Sequence, residues 1–493
     1  MNCAENKLDL QDIISKARDQ FEDILQFVTI NASGKPLHEV ERNIFGQLLA
    51  IGRTLLKLAV ISMGAGDMGA VHTDEKGVER KRHGRKERVY FSIFGKIEIL
   101  RTRYWSRGFG EIFPLDALFN LPENSYSYLL QEWGMSLGAE GAWNKVTDFL
   151  KRMLGIDLWS SCLERIASST AQDVEGFYEK QKPPRADDEG ELLVVTLDGK
   201  GVPIKKKTPV PKKVRLKKGE KPGKKKMSTV TAVYTIDRHE RGVDDIVKDV
   251  QSESCSNEKT SSVKQRPLPK NKVVKATLEG KEPAVEELAR QVKCRDPDGC
   301  KEGVALMDGE PKLRELIAKH LPSFCIILDL YHVLEYLWKA SYVFYAEGSN
   351  EATRWVQCML RLLLKGEVEG IITYLRGHLY YSDLTTSKRA TLEKVVGYLD
   401  RGKAFMRYDY YLEKGYPIGS GVIEGACRNL VKDRLELVGM RWSISGAESM
   451  LRLRSVVIND LDKDFWRFRV ESERQRLYGN FSDVDDSQFR EVA

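Results

Sequence analysis

The sequence lacks a long apolar run that is free of charged residues. Its most apolar stretch, residues 48–71, contains Arg53, Lys57 and several glycines, which predicts an amphipathic helix and a loop instead of a membrane span. The first ten residues, MNCAENKLDL, also lack the basic start and apolar core of a secretory signal. We therefore expect a cytoplasmic protein with no membrane partner.

Cysteine is scarce, at 8 of 493 residues, and the cysteines are scattered. The closest pair, Cys294 and Cys300, has no second pair of Cys or His residues nearby, so a zinc site is not expected. Reduced thiols are the default for this pattern in a cytoplasmic protein. The chain also lacks a Walker-type phosphate loop and a GxGxxG motif, so nothing indicates that it uses ATP.

The composition is that of a globular protein, because 42% of the residues are hydrophobic and 31% are charged. At roughly 100–200 residues per domain, the length predicts about three domains. The net charge of +7 is local, since residues 205–226 hold twelve basic residues and one acid, and the rest of the chain sums to −4. One basic segment in a near-neutral chain indicates a polyanion at that place, although a solvated loop has the same composition.

Helical and strand patterns alternate in the first 180 residues. Apolar residues recur at helical spacing in residues 8–65 and again from Ser125 onward. Residues 89–104 alternate between apolar and polar types, with Phe94-Gly95 in the middle, which predicts a β-hairpin. Short helices around a turn at Gly155 permit a helix-turn-helix that reads DNA, and an ordinary helical bundle has the same pattern.

Three apolar runs in the middle of the chain each end in an aspartate. LLVVTL precedes Asp198, GVALM precedes Asp308 and FCIIL precedes Asp329. Continuous apolar runs are typical of buried central strands, and ligands of α/β sheets gather at the carboxyl ends of the strands. One such aspartate often only caps the next helix, whereas three indicate a site. Carboxylates that meet repel one another unless cations lie between them, and hard oxygen ligands suit Mg²⁺ or Mn²⁺.

A fourth acid, Glu424, follows a glycine-rich turn in the segment GSGVIEGACRNLVKDRLELVGMRWS. Arg428 and Lys432 come four and eight residues later, on the same face of a helix, and Arg434 lies close by. An acid with basic neighbours can hold a metal ion while the cations hold phosphates. The alternative is a solvated helix with i,i+4 ion pairs, each of which stabilises the helix only slightly.

A resemblance to bacterial insertion-sequence transposases is carried by five blocks: LDGKGVPI, ALMDGEPKLRELI, ILDLYHVLEYLWKA, GSGVIEGACRNLVKDRLELVGMRWS and ESMLRLRS. The chain looks most like the Kra-type family, which is related to the Mutator-like and ISL-type DDE transposases. The resemblance covers roughly residues 85–470. It implies an α/β fold with a ribonuclease-H-like mixed sheet and a helical insertion. It also implies Mg²⁺-dependent DNA cleavage and strand transfer at a DDE triad that holds two ions.

The family's acids are carried over onto matching positions. Asp198 in LDGKG matches the first acid and Glu424 in SGVIEG matches the last. Asp308 in MDGEP is our preferred second acid, and Asp329 at the end of the next strand is the alternative. His332, three residues after Asp329, is assigned a supporting role, although a histidine that merely packs at a helix start has the same position. Arg428 is assigned a supporting role as well.

Charge pattern and resemblance together predict which side chains contact DNA. For Trp442 the alternative is a buried packing residue. The predicted contacts are Lys205, Lys206, Lys207, Lys212, Lys213, Arg215, Lys217, Lys218, Lys224, Lys225, Lys226, Lys432, Arg434 and Trp442.

The predicted organisation has six parts: an N-terminal helical region (1–82), a β-hairpin and helical DNA-binding region (83–180), a catalytic core in two parts (190–342 and 413–470), a helical insertion (343–412) and a C-terminal tail (471–493). We expect a DNA transposase that binds terminal inverted repeats and target DNA as a homodimer or higher oligomer, at the bacterial nucleoid. Two alternatives stay open: a structure-specific nuclease or resolvase on the same fold, and a catalytically silent DNA-binding protein derived from a transposase.

Overall fold

A computed structural model describes residues 2–74, 76–205, 225–254, 266–419 and 421–479. The chain divides into two compact units, Met1–Glu179 with Asp460–Ala493, and Lys180–Asn459. The described strands are β1 Val71–Thr73, β2 Glu79–Ser92, β3 Gly95–Ser106, β4 Gly110–Ile112, β5 Leu192–Pro203, β6 Lys225–Ile236, β7 Lys270–Thr277, β8 Glu302–Met307 and β9 Cys325–Leu328.

Helices make up most of the rest of the described chain. They are α1 Asn2–Gln26, α2 Leu37–Ser62, α3 Pro114–Leu118, α4 Tyr128–Glu140, α5 Trp143–Leu154, α6 Ser160–Ala171, α7 Val174–Lys180, α8 Val243–Ser254, α9 Lys281–Arg295, α10 Pro311–His320, α11 Leu330–Phe344, α12 Asn350–Leu364, α13 Val368–Tyr381, α14 Thr386–Gly402, α15 Tyr408–Glu413, α16 Gly421–Ala426, α17 Asp433–Leu435, α18 Ile444–Ile458 and α19 Asp462–Tyr478. Two π-helical segments, Phe27–Asn31 and Cys427–Lys432, continue α1 and α16.

The first unit contains an antiparallel sheet in the order β1-β2-β3-β4. Its centre is the hairpin β2–β3, which turns at Ile93-Phe94 and pairs Ser92 with Gly95. Arg53 of α2 donates a hydrogen bond from Nε to the Phe94 carbonyl oxygen at 2.8 Å, which fixes the turn against the helix. The strands extend beyond the predicted hairpin, because β2 begins ten residues before Val89, in the basic stretch ERKRHGRKER.

Helix α2 is long and apolar enough to cross a membrane by length and composition, and within the described residues no other helix meets both criteria. It contacts α1 and β3. A single helix of this kind is a weak indication of a membrane span, because helices of soluble proteins meet the same criteria.

Helix α19 lies across residue 470, where the sequence-based division places the border between core and tail, and it belongs to the first unit. Phe465, Trp466, Arg469 and Glu473 recur at helical spacing and are buried. The fully buried Arg469 guanidinium binds the Asp173 carboxylate and lies 3.2 Å from Glu473 Oε2. An ion network therefore fixes α19 inside the unit.

Replacement of Arg469 by alanine is expected to lower the free energy of unfolding of the first unit by about 3 kcal/mol, because the buried Asp173 and Glu473 carboxylates would lose their buried partner. Arg476, which lies 3.3 Å from Asp173 Oδ1 and 3.9 Å from Glu473 Oε1, would compensate their charges only in part. The matched control is Arg467→Ala on the same helix, whose exposed side chain pairs with Asp464 at 3.1 Å. It is expected to change stability by less than about 1 kcal/mol. Urea unfolding followed by circular dichroism measures both. Equal losses would show that the Arg469 network does not stabilise the unit.

The second unit is a mixed α/β structure, which confirms the predicted fold class at this level. Its five-stranded sheet has the order β7-β6-β5-β8-β9. β5, β6 and β7 pair antiparallel, and β8 and β9 run parallel to β5. One face of the sheet packs against α9 and α10, and the other packs against α11 and the helices α12–α15. Both faces of the central strands are therefore buried, as their continuous apolar sequences require.

Candidate metal and nucleic-acid site

Three aspartates lie at the same level of the five-stranded sheet, called its acidic edge below. Asp308 and Asp329 follow β8 and β9, as predicted, whereas β5 does not end at Asp198 but continues to Pro203, because Asp198 and the next five residues pair with β6. β5 and β8 pair Leu197 with Met307, so Asp198 and Asp308 are the next residues of neighbouring parallel strands. The Asp329 backbone N–H donates to the Met307 carbonyl oxygen at 2.9 Å, which places Asp329 at the end of the third strand. Adjacent strands lie about 4.8 Å apart. The structure therefore brings together three residues that are far apart in the sequence.

Asp198 and Asp308 lie on the same face of the sheet. Side chains alternate along a strand, so Asp198 shares a face with Leu192 and Val194, and Asp308 shares one with Val304 and Leu306. All four of these apolar residues belong to a single buried cluster. The two carboxylates therefore project from the same face of the sheet as this apolar cluster.

The two candidates for the second acid have different surroundings. Asp329 is 1% exposed and caps α11, because its Oδ1 accepts backbone N–H bonds from Tyr331 at 2.8 Å and His332 at 3.4 Å. Asp308 is half-buried, and in the described residues its side chain accepts one hydrogen bond, from the Glu310 N–H at 3.0 Å. Asp308 thus has more carboxylate lone pairs free for a ligand, which favours Asp308 over Asp329 as the second acid.

Glu424 approaches this edge on α16. Cys427, one helical turn after Glu424, is buried with its Sγ 3.4 Å from Asp198 Oδ2. Burial raises the pKa of the Cys427 thiol, and the nearby Asp198 and Glu424 carboxylates raise it further. Glu424 and Cys427 share a helix face at i,i+3 spacing. The exposed Glu424 carboxylate therefore acts electrostatically on the same buried thiol that contacts Asp198.

Two local contacts hold the turn that precedes α16. The Leu330 N–H donates to the Ile418 carbonyl oxygen at 2.9 Å. A Cβ at Gly419 would lie 2.6 Å from the Tyr331 ring, so only glycine allows this approach. The helix that carries Glu424 is thereby attached to the start of α11. Its π-helical continuation is of a kind that often occurs at functional sites.

The edge has a strongly negative electrostatic environment. Burial raises the pKa of Asp308, and the Asp198 carboxylate raises it further. The hydrogen bond from the Glu310 N–H and the charge of His332 lower this pKa, but their effect is smaller. The Asp329 carboxylate, with Asp308 and Asp198 beyond it, raises the pKa of His332 to about 9 despite partial burial. His332 Nδ1 lies 3.8 Å from Asp329 Oδ1, an ion-pair distance too long for a hydrogen bond. The site therefore favours positive charge.

His332 is expected to stabilise the metal-free protein in a pH-dependent way. Its folded-state pKa is above the ordinary value of 6.5, so its contribution is complete below pH 6.5 and is lost as the pH rises through about 9. His332→Asn should therefore cost on the order of 2 kcal/mol at pH 6 and almost nothing at pH 9.5. Urea unfolding in a chelating buffer measures this difference.

Asp329→Asn is the control for that prediction, because asparagine keeps the helix cap and removes the charge that faces His332. Nuclear magnetic resonance titration of the His332 ring should then give a pKa well below that of the unmodified protein. An identical ring pKa in the two proteins would contradict the assigned ion pair.

The donor set fits a hard divalent cation. Asp198, Asp308 and Glu424 offer carboxylate oxygens, which Mg²⁺ and Mn²⁺ prefer. Their ligand atoms do not form a group of three within 4.8 Å; in the described residues only Glu282, Glu286 and His320, which lie elsewhere, form such a group. The three carboxylates therefore have the right chemistry for such an ion, and their oxygen atoms do not converge on one ion position.

The predicted DNA contacts fall into three groups. Lys205, Lys225, Lys226 and Lys432 are exposed, as is Arg428, which is predicted to support the site, and Lys225 Nζ lies 2.5 Å from Glu436 Oε1. Eight contacts lie outside the described residues: Lys206, Lys207, Lys212, Lys213, Arg215, Lys217, Lys218 and Lys224.

Arg434 and Trp442 form the third group, and for them the predicted DNA contact is wrong. Arg434 is 0% exposed and Trp442 is 8% exposed. The Trp442 Nε1 donates to the Leu435 carbonyl oxygen at 3.1 Å, and the Arg434 guanidinium lies 4.9 Å from the Trp442 ring centroid. Backbone bonds between Trp442 and Pro203 and Lys205 hold this segment beside the end of β5. The pair therefore packs in the core beside the end of β5.

Sequence reasoning missed several side chains at this edge. Lys200 lies two residues after Asp198, on the same strand face, and its charge reaches Cys427. Tyr398 of α14 donates from its hydroxyl to the Asp308 carbonyl oxygen at 3.3 Å. The alternation along β5 could have identified Lys200. Nothing local to α14 indicates that Tyr398 meets a residue 90 positions earlier.

Compared with protein-family models and with curated proteins, the chain matches none of them. The functional interpretation therefore depends on the geometry of the site and on the motifs themselves.

Proposed function

We propose that the protein is a DNA transposase of a bacterial insertion sequence, which cuts DNA at the ends of its element and joins them to a target. The observation that carries the proposal is the register of Asp198 and Asp308 on neighbouring parallel strands, with the Glu424 helix placed against Asp198 through Cys427. This is the triad that the Kra-type resemblance implies.

The sheet supports the ribonuclease-H-like core of this proposal. Three antiparallel strands come first in the chain, and two parallel strands follow on the other side of β5. The first acid lies within the central strand β5, the second follows its parallel neighbour β8, and the helix with the last acid packs across β5 and β6. The helices between α11 and α16 take the place of the helical insertion that the resemblance implies.

Asp198, Asp308 and Glu424 would hold two Mg²⁺ or Mn²⁺ ions. Such ions, when bound, would activate the attacking oxygen and stabilise the negative charge that develops at phosphorus. His332 stays protonated at neutral pH beside these acids, so it adds a positive charge that can face a DNA phosphate. The exposed Arg428 and Lys432 follow Glu424 in the π-helical continuation of its helix and can position the backbone of the DNA.

The first unit would bind the terminal inverted repeats. Its sheet presents Lys81 and Arg85 as exposed cations that have no carboxylate within 4.0 Å in the described residues, and Trp105 is 43% exposed beside them. A two-stranded ribbon fits the major groove of DNA. The same proposal includes a homodimer or higher oligomer on DNA, at the nucleoid of a bacterial cytoplasm.

A strand-transfer assay with Mg²⁺ and labelled element ends tests this function. The ends are the short inverted repeats that should flank the gene, bounded by a direct duplication. Joined products support a transposase. Cleavage without joining would indicate a structure-specific nuclease or resolvase, and binding without cleavage a silent DNA-binding protein.

A further inference from the structure

A cavity of about 250 Å³ opens directly beside Asp308. Its walls come from three parts of the second unit: the turn after β8, the helix α10 and the helices α11 and α14. Arg314, Tyr336, Tyr398 and Arg401 line it together with Asp308. The cavity thus joins the acidic edge to cationic and aromatic side chains.

Two of these cations have no acidic partner among the described residues. Neither the Arg314 nor the Arg401 guanidinium lies within 4.0 Å of a carboxylate in the described part of the chain. Arg314 lies over the Phe405 ring, with 4.8 Å between its guanidinium carbon and the ring centroid. The other acid on the wall, Glu310, is already paired with Lys281. Two guanidinium groups are therefore available to an anion in the cavity.

An aromatic pair forms the boundary to a second cavity. The Tyr336 and Tyr398 rings are stacked at 3.7 Å between centroids with an angle of 4° between their planes. A cavity of about 660 Å³ is lined by the same two tyrosines and by Arg401, together with Lys339, Lys394 and the acid Glu393. Because the two cavities share Tyr336, Tyr398 and Arg401 as lining residues, they are adjacent, and together they are called the groove below.

We propose that this groove receives an unpaired nucleotide of the DNA strand next to the phosphate that is cut, with the base against Tyr398 and the phosphates on Arg314 and Arg401. The proposal rests on the proposed function and adds a substrate feature to it. Aromatic rings and guanidinium planes stack on any base, and guanidinium groups bind phosphate. Strand separation at the cleavage site would thereby be coupled to the placement of the phosphate at Asp308.

The test uses the full-length protein in a chelating buffer, so that no cleavage takes place. The probe is a ten-nucleotide single strand that contains one 2-aminopurine, and its dissociation constant and fluorescence are measured. Arg401→Ala and Tyr398→Leu should each weaken binding by roughly 5- to 150-fold, with less fluorescence quenching. Tyr398→Phe should restore binding, because it keeps the ring.

Arg354→Ala is the charge-matched control. Arg354 is exposed on α12 of the same helical region, lines neither cavity and has no carboxylate within 4.0 Å in the described residues. It should bind the single strand as the unmodified protein does. If Tyr398→Leu fails to fold, a comparison of the dissociation constants of Arg401→Ala and Arg354→Ala still tests the proposal. Equal affinities for all four variants and the unmodified protein would overturn the proposal.

Two outcomes separate this inference from the proposed function. If the unmodified protein cuts and joins DNA while the groove variants bind the single strand normally, the proposed nucleotide site is wrong and the proposed transposase function is supported. If the unmodified protein neither cuts nor joins DNA but the groove variants lose single-strand binding, the proposed nucleotide site is supported and the proposed transposase function is wrong.

Discussion

Asp308→Asn is expected to reduce DNA cleavage by ~10³-fold or more while the protein stays folded, because the acid would hold charge-stabilising ions at the reacting phosphate. The metal-free variant should be as stable as the unmodified protein or more stable. Burial and Asp198 raise the pKa of Asp308, so its ionised form is disfavoured in the folded state. A neutral asparagine removes that cost, and the gain should grow as the pH rises above the ordinary pKa of aspartate.

Asp329 supplies the control at the neighbouring strand end. Asp329→Asn keeps the cap of α11 and should retain cleavage, whereas Asp329→Ala removes the cap bonds to Tyr331 and His332 and should cost about 0.5–2 kcal/mol of stability. Cleavage rate and urea unfolding are measured for all three variants. Normal cleavage by Asp308→Asn together with a loss in Asp329→Asn would assign the second acid to Asp329.

Deletion of residues 206–224 should give the second large effect. The segment holds nine basic residues and one acid and connects Pro203 of β5 to Lys225 of β6, which pair with each other. A short glycine-rich loop can therefore replace it without separating the strands. Binding to non-specific duplex DNA should weaken by about 100- to 1,000-fold at 50 mM salt. The slope of log affinity against log salt should become shallower by about 0.9 for each phosphate that the segment neutralises in the unmodified protein.

The matched variant replaces the nine basic residues by serine at constant length. It should behave as the deletion does, because the effect arises from charge. Filter binding over a series of salt concentrations gives the slopes. An unchanged slope in either variant would assign the block to a role other than phosphate binding.

The central strands and their acids could be predicted from the sequence because a strand with both faces buried must be continuously apolar. LLVVTL and GVALM lie in strands, and the third strand contains FCIIL without its first residue, Phe324. The three aspartates come next in the chain, Asp198 still within β5 and the other two just beyond β8 and β9. The edge strand β7 could not be predicted in this way. Its sequence KNKVVKAT is rich in lysine and has the polar character of a loop at its start, because an edge strand leaves half of its side chains in water.

The burial of Arg434 and Trp442 could not be predicted either. Trp442 makes backbone bonds to Pro203 and Lys205, which come far earlier in the chain, and Arg434 packs on the Trp442 ring. Likewise, the proximity of Tyr398 and Arg401 to Asp308 depends on how α14 packs on α11. Local periodicity identifies which face of a helix is apolar, and it does not identify the partner of that face.

The most direct test of the account is a crystal of the full-length protein soaked in Mn²⁺, with anomalous scattering used to locate the ions. We expect one or two Mn²⁺ peaks bounded by Asp198, Asp308 and Glu424, with carboxylate oxygens about 2.0–2.2 Å away, and no such peaks in Asp308→Asn. Peaks only at Glu282, Glu286 and His320, or none at the strand ends at saturating Mn²⁺, would contradict the proposed catalytic site.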